Sequence, residues 1–181
     1  MFTIQLGHPK INKAKPAVYT TMAEIFPVLF REQEESVYLF WKEVPVRINY
    51  RDDLCRNLDD ILAMIWLLQK EPTGKTRVHL SNQMLDLQLD LYWKADKLTI
   101  EPLFRPQDEL FTPYAESLNA LGKLELSRKA FLNEWKGLLQ QLLEVFDAGK
   151  ILIADGKERR KLELLERTAQ SIPDYGRLYT R

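Results

Sequence analysis

Four aspartates sit close together, Asp52, Asp53, Asp59 and Asp60. Paired carboxylates can bind a divalent cation or trade protons as general acid and base. Asp53 and Asp60 are seven residues apart, two turns of a helix, so one helix face could carry both. No histidine falls beside them at a recognised ligand spacing. Helix capping and a solvated flank account for them better than a metal does. His8 and His79 are the chain's two histidines. Neither has a nucleophile or carboxylate at a motif spacing, and a general base needs one within hydrogen-bond reach. Cys55 stands near an expected helix start, where a thiol pKa can fall. A buried, inert thiol is the competing reading, and the one favoured here. Gly74–Lys75–Thr76 has the ending of a phosphate loop, but the loop's first glycine is replaced by Gln69 and the strand-then-helix order is reversed. The expectation is no catalytic residue, no cofactor and no metal.

The elements around these residues read as α+β, an antiparallel sheet of about four to five strands packed against amphipathic helices, with a helical C-terminal part. Residues 36–40 and 44–50 are rich in β-branched and aromatic side chains and predict a hairpin, with Trp41, Lys42 and Glu43 at its tip. Pro45 points to an edge or a strand start. Asp52 or Asp53 is the expected N-cap of a helix over 54–70, which carries Leu54, Leu58, Ile61, Leu62, Ile65, Trp66 and Leu68 at helical spacing. Residues 72–74 stop it. Residues 77–80 form a strand. Leu85, Leu87, Leu89 and Leu91 alternate with Asp86, Gln88, Asp90 and Tyr92, the period of a strand with one dry and one wet face. A turn at 95–97 leads to a strand over 98–101, ended by Pro102. Residues 109–121 predict a helix with Gly122 as its stop. Ser127 caps the strongest helix, whose stripe runs through Phe131, Leu132, Trp135, Leu138, Leu139, Leu142, Leu143 and Phe146. Gly137 inside it suggests close packing against the sheet. A charged helix over 157–171 follows.

Residues 1–181 read as a single domain, divided into an N-terminal connector (1–19), a sheet with an inserted helix (36–104), a helical part (107–171) and a tail (172–181). A helix over 20–30 is expected to break at Pro27. About 45% of the residues are apolar, which permits a sizeable core without staples. Lys plus Arg and Asp plus Glu number 26 each. Zero net charge gives no general pull toward nucleic acid. Cys55 is the sole cysteine, which excludes an internal disulfide framework and fits a reducing, cytoplasmic setting. No apolar run approaches the ~20 residues that span a bilayer. Neither a signal peptide nor a lipidation box is apparent.

Binding surfaces are the remaining possibility. Lys157, Arg160 and Lys161 could touch phosphates, but interleaved acids make a solvated helix face the better reading. Trp66 and Trp135 read as core, whereas Trp41 at a hairpin tip and Trp93 beside a turn could be exposed. An aromatic at an exposed tip is a natural anchor for a protein partner. Glu32, Glu34 and Glu35, with Asp86 and Asp90 on the wet strand face, could meet as an acidic patch that receives a basic surface.

The runs 38–46, 50–54 and 59–62, together with Phe131–Leu132–Asn133–Glu134–Trp135–Lys136, resemble the small bacterial immunity proteins of polymorphic-toxin systems. The resemblance covers roughly residues 37–146 and rests on structural motifs. It implies a cytoplasmic α+β protein that neutralises a cognate toxin or enzyme by direct stoichiometric binding, with no membrane or nucleic-acid partner. The resemblance carries over no binding residue; the residues themselves make Trp41, Glu32, Glu34, Glu35, Asp86 and Asp90 the expected partner-binding residues. The alternatives are a hydrolase or transferase built around Asp52, Asp53 and His79, and a structural adaptor using the C-terminal helices.

Overall fold

The computed structural model describes residues 1–7, 18–30, 36–149 and 151–174. Nine strands and five α-helices occur among them, and the strands form three sheets rather than one. The first sheet has the order β1 (Phe2–Gln5), β3 (Ser36–Trp41), β4 (Val44–Asn49), all antiparallel. The second has the order β5 (Thr73–Ser81), β6 (Leu85–Lys94), β7 (Lys97–Pro106), β8 (Leu124–Ser127), also antiparallel. A two-residue parallel pair joins β2 (Val18–Tyr19) to β9 (Leu152–Ile153). The expected N-terminal connector therefore contains a sheet strand, because Phe2 can bury its ring against Trp41, Phe131 and Trp135.

The strand with the leucine alternation, β6, is one of the two inner strands of the larger sheet. Leu85, Leu87, Leu89, Leu91 and Trp93 are buried, with Val78 and Leu80 from β5 and Leu98, Ile100 and Phe104 from β7 on the same face. Strand β7 does not end at Pro102. Asn119 exchanges both side-chain hydrogen bonds with the backbone of Phe104, at 2.9 and 2.8 Å, so Phe104's backbone groups face away from β6. Pro102 and Pro106 share that parity. The β8 pairing covers only Lys97 to Ile100, so neither proline interrupts a ladder. Strand β8 itself was not expected. Its four residues run straight into the N-cap of the next helix.

Helix α1 (Met22–Leu29) passes through Pro27 without breaking, secured by a capping box between Thr21 and Glu24. A π-helical turn (Tyr50–Leu54) leads into α2 (Cys55–Lys70). A short 3₁₀ turn precedes α3 (Thr112–Ala120), and α5 (Gly156–Ser171) is capped by Asp155. Helix α4 (Arg128–Ala148) starts at Ser127, whose hydroxyl accepts from the Ala130 amide. Asp96, in the β6–β7 turn, accepts from the Lys129 amide at 3.0 Å and from the Ser127 hydroxyl at 2.8 Å. A carboxylate at a helix N-terminus is stabilised by the unsatisfied amides there. Among the described residues no helix is long and apolar enough to cross a membrane.

The stripe on α4 is buried as expected, with Val145 completing it and Leu143 half-buried at its edge. It joins the larger sheet in one continuous core through an aromatic chain. Phe104 meets Trp41 at 5.9 Å between centroids, Trp41 meets Phe2 at 6.4 Å, and Phe2 meets Phe131 at 4.9 Å. Gly137 is not a close-packing position. A Cβ there would meet only Leu6, at 3.8 Å, an ordinary contact. Gly137→Ala is therefore expected to raise stability by up to about 1 kcal/mol in urea melts, since the alanine gains helix propensity without a clash. A loss would mean that the helix does need the missing side chain.

Candidate functional site

The carboxylates divide sharply. Asn49, not an aspartate, caps the π-helical turn: its Oδ1 accepts from the amides of Asp52 at 2.7 Å and Asp53 at 3.2 Å. Asp53 is 2% exposed. One of its oxygens accepts from the Asn49 amide at 3.0 Å and from the Asn49 side chain at 2.8 Å, while Oδ1 takes no hydrogen bond. Burial holds this carboxyl above its ordinary range, partly opposed by the Asn49 amide and by Arg56. Asp59 is exposed and paired with Lys161 at 2.9 Å, and Asp60 is exposed. His79 lies elsewhere, exposed on β5 opposite Gln88, and it is not among the charged neighbours of Asp53. The expected juxtaposition of Asp52, Asp53 and His79 does not form. Burial lifts the Cys55 thiol to about 11, so it stays protonated at neutral pH. Among the described residues no group of three or more His, Cys, Asp or Glu could hold a metal ion.

Gly74–Lys75–Thr76 is strand rather than loop. Gly74 is required because Trp93 lies across it from the opposite strand: a Cβ would sit 2.5 Å from the indole Cζ2. Trp93 is thus buried rather than exposed, its Nε1 donating to the Glu71 carbonyl at 2.8 Å. Trp66 is the reverse, expected in the core but exposed on α2, with the Lys70 ammonium 4.4 Å from its ring centre.

The expected anchor is also corrected. Trp41 is 2% exposed, and its Nε1 donates to the Gly122 carbonyl at 3.1 Å. The turn after it is only Lys42–Glu43, with Lys42 in the left-handed region and its ammonium donating to the Leu121 carbonyl. The chain around residues 121–122 covers the ring, so Trp41 offers nothing to a partner. The acidic patch is corrected in part. Asp90 forms a bidentate pair with Arg77, directly opposite on β5, at 2.6 and 3.1 Å. Asp86 pairs with Arg105 on β7 at 3.4 Å. Arg77 holds the Asp90 carboxyl below its ordinary range. Glu32, Glu34, Glu35 and His8 lie outside the described residues.

Of the binding surfaces the sequence offered, the wet strand face lies among the described residues, as the wet face of the four-stranded sheet. Register places its side chains in rows across the strands. One row is Thr73, Lys94, Lys97, Ser127, and the next is Lys75, Tyr92, Thr99, Glu125. Then come Arg77, Asp90, Glu101, and after them His79, Gln88, Leu103. Tyr92 is 43% exposed and Leu103 38%. Tyr92 separates two shallow cavities. One, of about 310 Å³, is lined by Lys75, Thr76, Arg77, Asp90 and Tyr92. The other, of about 290 Å³, is lined by Gly74, Tyr92, Trp93, Lys94, Lys97 and Thr99. Tyr92 was visible in the sequence as a member of the wet row. Leu103 was not, because the strand was expected to end at Pro102. Comparison of the chain with protein-family models, with curated proteins and with solved structures finds no match.

Proposed function

We propose that the protein acts by binding another protein, as an immunity-type inhibitor that neutralises a cognate toxin in the cytoplasm by direct, stoichiometric contact. The observation that carries this reading is the wet face of the four-stranded sheet. Tyr92 and Leu103 stand partly exposed on adjacent strands, two rows apart, fixed by strands of ten residues each and with charged side chains in the row between them. A rigid aromatic or aliphatic anchor inside a polar rim is how protein interfaces concentrate binding energy. Neither side chain belongs to the buried core, so their replacement separates binding from folding.

The test is co-expression with the toxin encoded beside its gene. The wild-type protein should restore growth and purify as a complex. Tyr92→Glu combined with Leu103→Glu should weaken that complex by about 30-fold or more, the loss of one hot spot, while the melting temperature stays within a few degrees. Equal rescue by wild type and variant would remove this face from the reading. Absence of any complex or rescue would remove the reading itself.

A further inference from the structure

The proposed interface has a sign, and it is opposite to the sequence expectation. Of the acids expected to receive a basic partner, the two on this face are already occupied: Asp90 by Arg77, Asp86 by Arg105. Glu125 is shared between Lys97 at 3.1 Å and Lys123 at 3.3 Å. Lys75 and Lys94 are both exposed, and among the described residues neither has an ion-pair partner. They flank Tyr92, Lys75 as its directly opposed neighbour on β5 and Lys94 two residues further along β6 on the same face. The cavity on one side of Tyr92 is lined by Lys75 and Arg77, and the one on the other side by Lys94 and Lys97. The single acid lining either of them, Asp90, is neutralised by Arg77.

We infer that the end of the sheet face around Tyr92 receives an acidic protein surface, with partner carboxylates entering beside Lys75 and Lys94 while Tyr92 packs between them. This rests on the reading of the sheet face as the interface and names the chemistry of what binds there. Two exposed lysines opposite carboxylates raise the rate of encounter and reject partners of the wrong sign. A second copy of the chain does not fit, since a symmetric contact centred on Tyr92 would set lysines against lysines. A phosphate backbone fits less well than a protein. Glu125 stands in the Tyr92 row and Glu101 in the next, and phosphates fixed in a backbone would run over them, whereas carboxylates on flexible side chains can reach the lysines without crossing them.

The test uses the full chain labelled for NMR and three probes: poly-L-glutamate, poly-L-lysine and single-stranded oligothymidylate. Poly-L-glutamate should shift the amides of Lys75, Tyr92, Lys94 and Lys97 and bind about tenfold more weakly in high salt, as exposed charge pairs are screened. Poly-L-lysine should leave those amides unmoved, and oligothymidylate should bind more weakly than poly-L-glutamate. Lys75→Glu with Lys94→Glu should weaken poly-L-glutamate binding at least about tenfold. Stronger binding of oligothymidylate at this end, binding of poly-L-lysine there, or no shift with poly-L-glutamate overturns the inference. The toxin itself separates the two levels. If it binds and Lys75→Glu with Lys94→Glu changes nothing, the charge assignment fails and the interface stands. If it does not bind the wild-type protein, the interface reading has failed.

Discussion

Alanine at Trp41 is expected to lower the unfolding free energy by about 3–5 kcal/mol, the range for emptying a buried aromatic site. Three contacts make this ring hard to replace. It meets Phe104 at 5.9 Å and Phe2 at 6.4 Å, both edge-on, and thereby joins the two antiparallel sheets. Its indole N–H serves the Gly122 carbonyl at 3.1 Å. Edge-on aromatic pairs contribute about 0.5–1.5 kcal/mol each beyond their buried area. Trp135 provides the control. It is fully buried too, but its indole N–H has no partner. Trp→Phe should therefore cost more at Trp41, where a hydrogen bond worth about 1 kcal/mol is lost, than at Trp135, where an unsatisfied donor is removed. Urea melts of the three variants decide it. A loss below about 2 kcal/mol for Trp41→Ala would show that the ring is not a core element.

The contrast between Trp41 and Leu85–Leu91 shows what the sequence could carry. Period-two alternation is local information: each leucine's face follows from its neighbours, and all four are buried. The fate of Trp41 is not local. A tryptophan beside a two-residue turn looks exposed until residues 121–122 and Phe2, far away in sequence, close over it. Pro102 failed for the same reason. A proline ends a strand only if its missing N–H faces a partner, and that depends on where β8 stops. Asp86 and Asp90 were legible as wet-face residues. Their neutralisation was not, because Arg77 and Arg105 reach them only once the register of β5, β6 and β7 is fixed. The helix over 54–70 matches α2 to within one residue, but its cap lies a few residues earlier than expected, at Asn49. Aspartate and asparagine cap about equally well, and the π-helical turn puts Asn49 outside and Asp53 inside.

That exchange of roles leads to the second large effect. Asn49→Ala is expected to cost about 2–4 kcal/mol at neutral pH. The cap on the Asp52 and Asp53 amides accounts for about 0.5–2 of this. The remainder comes from the buried Asp53 carboxylate, which would keep the Asn49 backbone amide but lose the side-chain donor at 2.8 Å, with its other oxygen already unpaired. The penalty should depend on pH in a definite direction. Burial raises the Asp53 carboxyl, so the folded protein holds that proton more tightly than the unfolded chain does. The stability this brings is complete below the unfolded carboxyl range near pH 4 and is lost as pH rises through the raised folded value. Asn49 supports the ionised form, so its removal raises that value further. The cost of Asn49→Ala should thus be greatest at neutral pH and shrink in acid. In an Asp53→Asn background it should fall toward the capping contribution alone and lose its pH dependence, which a double-mutant cycle measures. A penalty that stays constant from about pH 4 to pH 8, or that is unchanged in the Asp53→Asn background, would mean that Asn49 acts only as a cap and that the buried carboxyl is held by other groups.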